Sequence, residues 1–260
     1  MVDVEPTRPQ DWMETVTGYY EALYHDLKAP MAILFNYVQT LERMEGLPAD
    51  AIECVAEIKR SSFRMAKLVR DANDRLRLNQ GLLRPRYVMT DAVAFVRNIC
   101  ESAQALMRNK DIDIVFNSKK PSLHTAMDRQ LWERIILNLL ANGKDYSHRG
   151  GEIHVNLETE AGNLVLSIRD FGVGVSEEMM AHVFSRFVGD TKRGLRSGLG
   201  LYIVKELISL MDGEVRLLRA DPGTKVVIYA PVFRTEDEHE VMTIDDFFSD
   251  NMTQMELSNM

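Results

Sequence analysis

The sequence predicts a multidomain chain, α in its first third and α+β beyond it. A helical hairpin dimerises into a four-helix bundle and is followed by a sheet with helices on one face. Three observations predict this. The stretches from Asp11 to about Glu45 and from Ala49 to about Asn79 repeat apolar residues every three or four positions, the spacing of one helix face. Gly46-Leu47-Pro48 separates them with a break long enough only for a turn. After Gly81, short alternating runs mix with helical runs without a regular βαβ rhythm, which points to α+β.

The elements follow in order. Residues 1–10 hold two prolines and read as a flexible lead-in. The first helix carries His25-Asp26-Leu27-Lys28-Ala29-Pro30, and Pro30 is expected to loosen or kink it by removing a backbone donor. The second helix has its stripe at Ile52, Val55, Ile58, Met65, Leu68, Val69, Ala72 and Leu76. A hairpin of two such helices, residues 11–80, buries its stripe poorly alone, so pairing as a homodimer is expected. A hairpin packed on its own second domain is the alternative. Within 82–233, strands are expected at Tyr87–Met89, Ile112–Asn117, His124–Met127, Glu152–Glu158, Leu164–Arg169, Glu214–Arg219 and Lys225–Tyr229. Helices are expected after the caps Asp91 and Asp128, over Glu177–Phe184 and over Leu199–Met211. Residues 234–260 form an acidic tail.

Composition narrows the function. The net charge of -8 sits in that tail, where Thr235 to Met260 carries eight acids and no Lys or Arg. No basic tract is present, which argues against nucleic acid as a partner. No apolar run is long enough for a membrane span, and the N-terminus has no signal-peptide pattern. Cys54 and Cys100 lie far apart and form no CxxC, as in a cytoplasmic protein without a zinc site.

Two groups of residues carry chemistry. In the first, neutral imidazole is a good nucleophile near pH 7, and the carboxylate of Asp26 beside His25 can stabilise charge that develops on the ring. The second group lies in the α+β domain. Asn138 and Asn142 are four apart, on one helix face, and amide oxygens suit Mg²⁺. Asp170-Phe171-Gly172-Val173-Gly174 follows a strand; its carboxylate can accept from an exocyclic base amine, and its glycines allow close backbone approach. Gly198-Leu199-Gly200-Leu201 enters a helix, where free amides bind phosphate. The loop between them, with Lys192, Arg193 and Arg196, is either a lid over an anion or a solvated surface loop. Asp170-Phe171-Gly172 spells a protein-kinase motif, but the HRD and VAIK contexts are missing, and no glycine pair completes GxGxxG.

Taken together, these motifs resemble the catalytic core of a bacterial two-component sensor histidine kinase. His25 to Pro30 resembles the H box, Asn138 to Tyr146 the N box, and Asp170 to Gly174 the G1 box. Phe184 to Phe187 resembles the F box and Gly198 to Leu201 the G2 box, all in family order over about residues 11–233. The resemblance implies a dimerisation and histidine-phosphotransfer hairpin, then a Bergerat-type α/β sandwich that binds ATP. His25 would be the phosphoacceptor and Asp26 the adjacent acid. Asn142 would ligate Mg²⁺ with Asn138 nearby, Asp170 would bind the adenine amine, and Gly172, Gly174 and Tyr146 would shape the base pocket. Gly198, Leu199 and Gly200, with Lys192 and Arg193, would meet the phosphates. The phosphoryl group would pass to an aspartate of a response regulator receiver domain. The stimulus would come from a separate sensor or from one joined N-terminally, which allows a cytoplasmic part of a membrane receptor.

Departures from the family pattern carry expectations of their own. Ala29 stands four residues after the histidine, where Thr or Asn usually serves dephosphorylation, so weak phosphatase activity is expected. Asp145 replaces the usual base of the N box, Leu195-Arg196 replaces a Gly-Gly, and Val188-Gly189 stands where an Arg often follows the F box. These keep open a second reading, a degenerate kinase acting as a dimeric nucleotide-binding scaffold. A Bergerat-type ATPase or serine kinase is a third, which would not need the histidine hairpin. The acidic tail is either an extension or a segment that docks on a partner or on the basic loop.

Overall fold

A computed structural model describes residues 9–107, 111–180, 182–184 and 200–232, although the side chains of His25 and some of its neighbours in the first helix are not among what it describes. The chain divides into two compact units, residues 1–83 and 84–260.

In the first unit, α1 (Pro9–Glu42) and α2 (Ala49–Asn79) form a hairpin. Gly46 turns the chain with φ +82°. α1 runs as one helix with Pro30 inside it, so the proline does not end the helix; one missing N–H in a long ladder is absorbed. Phe35 stacks on Phe63 with centroids 4.7 Å apart, and Lys59 Nζ meets Glu42 at 2.8 Å. Val38, Val55, Phe63 and Ala66 are buried around this contact. Further along α2 the buried residues turn polar: Arg70, Asp71 and Asn73. Large apolar residues stay outside, including Ile33, Tyr37 (66% exposed), Ile52, Ile58, Met65 and Leu68. Gly81, at φ +64°, ends the helix, with Leu82 N donating to Arg77 O at 2.9 Å.

The second unit is an α/β sandwich. β1 (Val88–Asp91) pairs antiparallel with β3 (His124–Met127). A five-stranded sheet has the order β2 (Asp113–Ser118), β4 (Glu152–Glu160), β5 (Asn163–Asp170), β7 (Thr224–Pro231), β6 (Glu214–Arg219). β2 and β4 are parallel and the other pairs antiparallel. α3 (Ala92–Met107), α4 (Arg129–Tyr146) and α6 (Gly200–Leu210) pack on one face of this sheet, and α5 (Glu177–Met180) is a single turn. The expected helix over Glu177–Phe184 is thus shorter, because His182 N donates to Met179 O in a tighter turn.

The alternation in the strands explains the layering. Ile153, Val155 and Leu157 of β4, with Leu164, Leu166 and Ile168 of β5, point to the helices and are buried. They meet Ile135, Ile136 and Leu139 of α4 in the same core. Each such side chain contributes roughly 1.5–3 kcal/mol on burial. Two aspartates fix where helices begin. Asp128 Oδ1 accepts from Leu131 N at 3.0 Å, capping α4, while its Oδ2 accepts from Arg86 N at 2.7 Å. Asp91 Oδ1 accepts from Val93 N, Ala94 N and Leu123 N, and the N–H of Leu123, foremost, holds its carboxyl below the ordinary carboxylate range.

Candidate functional site

Asn138 and Asn142 lie one turn apart on α4, on the side facing the first residue of α6. A Cβ built on Gly200 would lie 3.3 Å from Asn138 Oδ1 and 3.9 Å from Asn142 Nδ2, so glycine lets the helix start come close to both amides. Asn138 Nδ2 donates to Arg134 O at 3.0 Å, which aims its oxygen toward Gly200. Asn142 Nδ2 is buried and has no hydrogen-bond partner among the described residues. An orphaned buried amide is costly, and a polar ligand beside a helix start would satisfy it. The amides also suit a hard cation: Asn142 can present its oxygen by an amide flip, and Asn138 Oδ1 already faces the same space.

Asp170 ends β5 and is 8% exposed. Its Oδ1 accepts from Gly172 N at 3.0 Å. Burial pushes its carboxyl above the ordinary carboxylate range, opposed by the N–H groups of Gly172 and Thr224. The turn after it is held by backbone on two sides. A Cβ on Gly172 would fall 1.9 Å from Tyr146 O, and Val173 N donates to that same oxygen at 3.3 Å. A Cβ on Gly223 would fall 2.0 Å from Asp170 O, and Gly223 has φ +94°. Any side chain at either position would displace the turn from α4 or from the β6–β7 loop. Gly174, at φ +69°, completes the turn.

The structure therefore brings Asn138, Asn142 and Gly200 together, and joins Asp170 and Gly172 to Tyr146 through the end of α4. Lys192, Arg193, Gly198 and Leu199 lie outside the described residues, as do the end of the F box and the acidic tail. Lys144 is 2% exposed; it lies about 200° around the helix from Asn142, on the side of Leu137 and Leu140, and so is a core residue. Asp145 lies two turns beyond Asn138 on the asparagine side. Gly223 and Thr224 escaped sequence reasoning as site residues, although Pro222-Gly223 is a turn signal.

His25 and Asp26 lie on α1, and Asp26 and Ala29 are exposed. From the stacked pair Phe35 and Phe63, equal steps back along α1 and forward along α2 bring the backbone of His25 level with Asn73. The part of α1 that carries His25 thus runs beside the polar half of the hairpin.

A sheet covered on one face by helices, with paired helix amides, a buried strand-end carboxylate and a glycine-opened helix start, defines a nucleotide-binding module. Residues 127–234 match the family described as histidine kinase-, DNA gyrase B-, and HSP90-like ATPase. The sensor histidine kinase YvrG of Bacillus subtilis is 32% identical over 212 residues, covering 79% of this chain and 37% of that protein. The sensor protein kinase PmrB of Pseudomonas aeruginosa is 28% identical over 216 residues, covering 80% of this chain and 44% of that protein. The chain spans less than half the length of these two relatives. Full-length ShkA in complex with AMPPNP shares the fold at TM-score 0.69 and 23% identity, over 84% of this chain and 46% of that one. Histidine kinase ThkA in complex with the response regulator protein TrrA does so at TM-score 0.57 and 15% identity, over 86% and 64%. Residues 127–234 fall within that ATPase family, and over about four fifths of its length the chain is similar to two-component sensor histidine kinases. Among the described residues no helix is long and apolar enough to cross a membrane.

Proposed function

We propose that this chain is an ATP-dependent protein-histidine kinase that phosphorylates His25 and passes the phosphoryl group to an aspartate of a response regulator receiver domain. The observation that carries this reading is the convergence of Asn138, Asn142 and Gly200, within an ATPase-family domain, on a chain whose other unit bears His25-Asp26. Asp170 would accept from the adenine amine, and Gly172 and Gly174 leave room for the base beside Tyr146. Mg²⁺ would sit with Asn142 and Asn138, supplying charge neutralisation at the phosphates. Lys192, Arg193, Gly198 and Leu199 would bind the same phosphates. In phosphoryl transfer the protein mainly positions and neutralises, and these groups do both. The imidazole of His25 attacks, and Asp26 stabilises the charge that develops on it.

The unit of function in this reading is a homodimer. Ile33, Tyr37, Ile52, Ile58, Met65 and Leu68 form an exposed apolar stripe on the hairpin, which a second hairpin would cover as a four-helix bundle. A receiver domain would dock near His25, and the stimulus would reach the chain from a separate or N-terminally joined sensor. Cytoplasmic placement suits a chain with free Cys54 and Cys100. The exposed Ala29 cannot orient a hydrolytic water, so phosphatase activity toward the regulator is weak.

The test is incubation with γ-labelled ATP and Mg²⁺. Acid-labile, base-stable label is expected on the wild type and absent from His25→Ala. Nucleotide binding without label would favour a degenerate scaffold, a reading favoured by the acid Asp145 on the asparagine face and Lys144 in the core.

A further inference from the structure

We infer that Phe171 is a positioning residue for the nucleotide site, clamped on the outer face of the sheet by Arg169 and His154. This rests on the ATP-binding reading above. The turn from Asp170 to Gly174 is fixed by backbone at Gly172 and at Gly223, and between those contacts lies Phe171, whose ring meets the side chains of Arg169 and His154. The Arg169 guanidinium carbon lies 4.4 Å from the ring centroid, and His154 meets the ring edge-on at 4.8 Å. Register explains the trio. Arg169 and His154 are directly paired across β5 and β4, so both project from the face opposite the helices. Phe171, two residues beyond Arg169, returns to that face, while Asp170 between them points to the helix side.

Each clamp residue is itself tethered. Arg169 Nη2 donates to Pro222 O at 3.4 Å, in the loop whose Gly223 backs onto Asp170 O. His154 Nε2 lies 2.6 Å from Glu152 Oε2. The ring is thus gripped from β4 and β5, and Arg169 is in turn anchored to the β6–β7 loop. Its backbone joins the Asp170 carboxylate to Gly172, the same two residues joined by the Oδ1 hydrogen bond. A ring free to leave this seat would let the carboxylate and its glycine turn shift together, away from the base that they are to meet. The sheet has a core without Phe171, because the ring lies outside it; the clamp acts on ligand geometry rather than on folding.

The experiment uses the full chain, a fluorescent ATP analogue read by anisotropy, ATP kinetics of autophosphorylation, and thermal melts. Phe171→Leu keeps apolar bulk but loses the aromatic face, and it should weaken analogue binding by up to about tenfold, the ceiling set by a ring pair and a partly exposed cation–π contact. KM for ATP should rise by a similar factor, kcat should change less than twofold, and the melting temperature should fall by no more than a few degrees. Phe171→Tyr should restore binding. Arg169→Met should weaken binding in the wild type but add little on top of Phe171→Leu. Unchanged binding in Phe171→Leu, or a loss that tracks the melting temperature and is not restored by tyrosine, would overturn the clamp. Wild-type protein that binds no nucleotide would overturn the ATP reading and the clamp with it, whereas a binding wild type with an indifferent Phe171→Leu would remove the clamp alone.

Discussion

The hairpin and the sandwich solve the same burial problem with opposite success. In the sandwich the alternating strands and α4 close a core in which Ile135, Ile136, Leu140, Ile153 and Leu166 are fully buried. In the hairpin a small cluster around Phe35 and Phe63 is enclosed, while Tyr37, Ile52 and Met65 remain exposed and the buried end is polar. A unit that closes its own core can be a fixed platform for a ligand. A unit that leaves its stripe open depends on association, and its geometry can be set from outside.

The largest effect should come from breaking the open stripe. Tyr37→Glu with Ile58→Glu places four like charges at the seam of a dimer and should convert it to monomer by light scattering, with loss of helical signal from the hairpin. A dimer that survives both changes would remove the bundle from the account. Next is Asp170→Asn, which should weaken nucleotide binding by more than about tenfold, the loss of a charge-assisted hydrogen bond. The same variant should melt higher at neutral pH. The sign follows from the raised carboxyl. Its contribution to stability is present below the ordinary carboxylate pKa and lost as pH rises through the raised value. In Asp170→Asn that part of the pH dependence should vanish; a variant less stable than wild type at pH 7 contradicts this.

A smaller effect is expected at Asp91. Asp91→Ala leaves the N–H groups of Val93, Ala94 and Leu123 without their acceptor and should cost about 1–2 kcal/mol by denaturant titration of the sandwich. Its carboxyl is held low, so the wild-type advantage should be present above the ordinary carboxylate pKa and fade as pH falls through the depressed value. The smallest expected change is Ala29→Thr, which should raise dephosphorylation of a phosphorylated receiver with little change in His25 labelling. Equal phosphatase rates in the two proteins would show that the small side chain is not what limits it.

Local chemistry made much of this readable. Pro48 and the apolar stripe mark α2 from Ala49 to Asn79, and Asp91 and Asp128 mark the starts of α3 and α4. Short apolar runs marked β4 and β5 as strands. Strand neighbours were not readable, because alternation says which face a residue takes and nothing of the strand beside it. The parallel pairing of β2 with β4 and the seat of β5 beside β7 come from packing between distant segments. The site divides along the same line. Asn138 and Asn142 share a helix face by spacing alone. The backing of Asp170 by Gly223, and the ring of Phe171 against Arg169 and His154, depend on strands brought together by the sheet. Lys144 is the instructive departure. It is the base next in sequence to Asp145, yet its side chain is core rather than part of the site.

One feature of the sheet bears on how such a site can vary. β5 and β7 are hydrogen-bonded neighbours from Asn163–Pro231 to Asp170–Thr224. The chain that follows Asp170 comes back to the same sheet at β6, beside β7, so β5 and β6 anchor the two ends of one excursion. Closing a longer excursion between the same two anchors costs little entropy, roughly 0.6 kcal/mol for each doubling of its length. Polar residues inserted between α5 and α6 should leave the melting temperature of the sandwich nearly unchanged, so the stretch between these helices is free to lengthen or shorten while the sheet that anchors it stays the same.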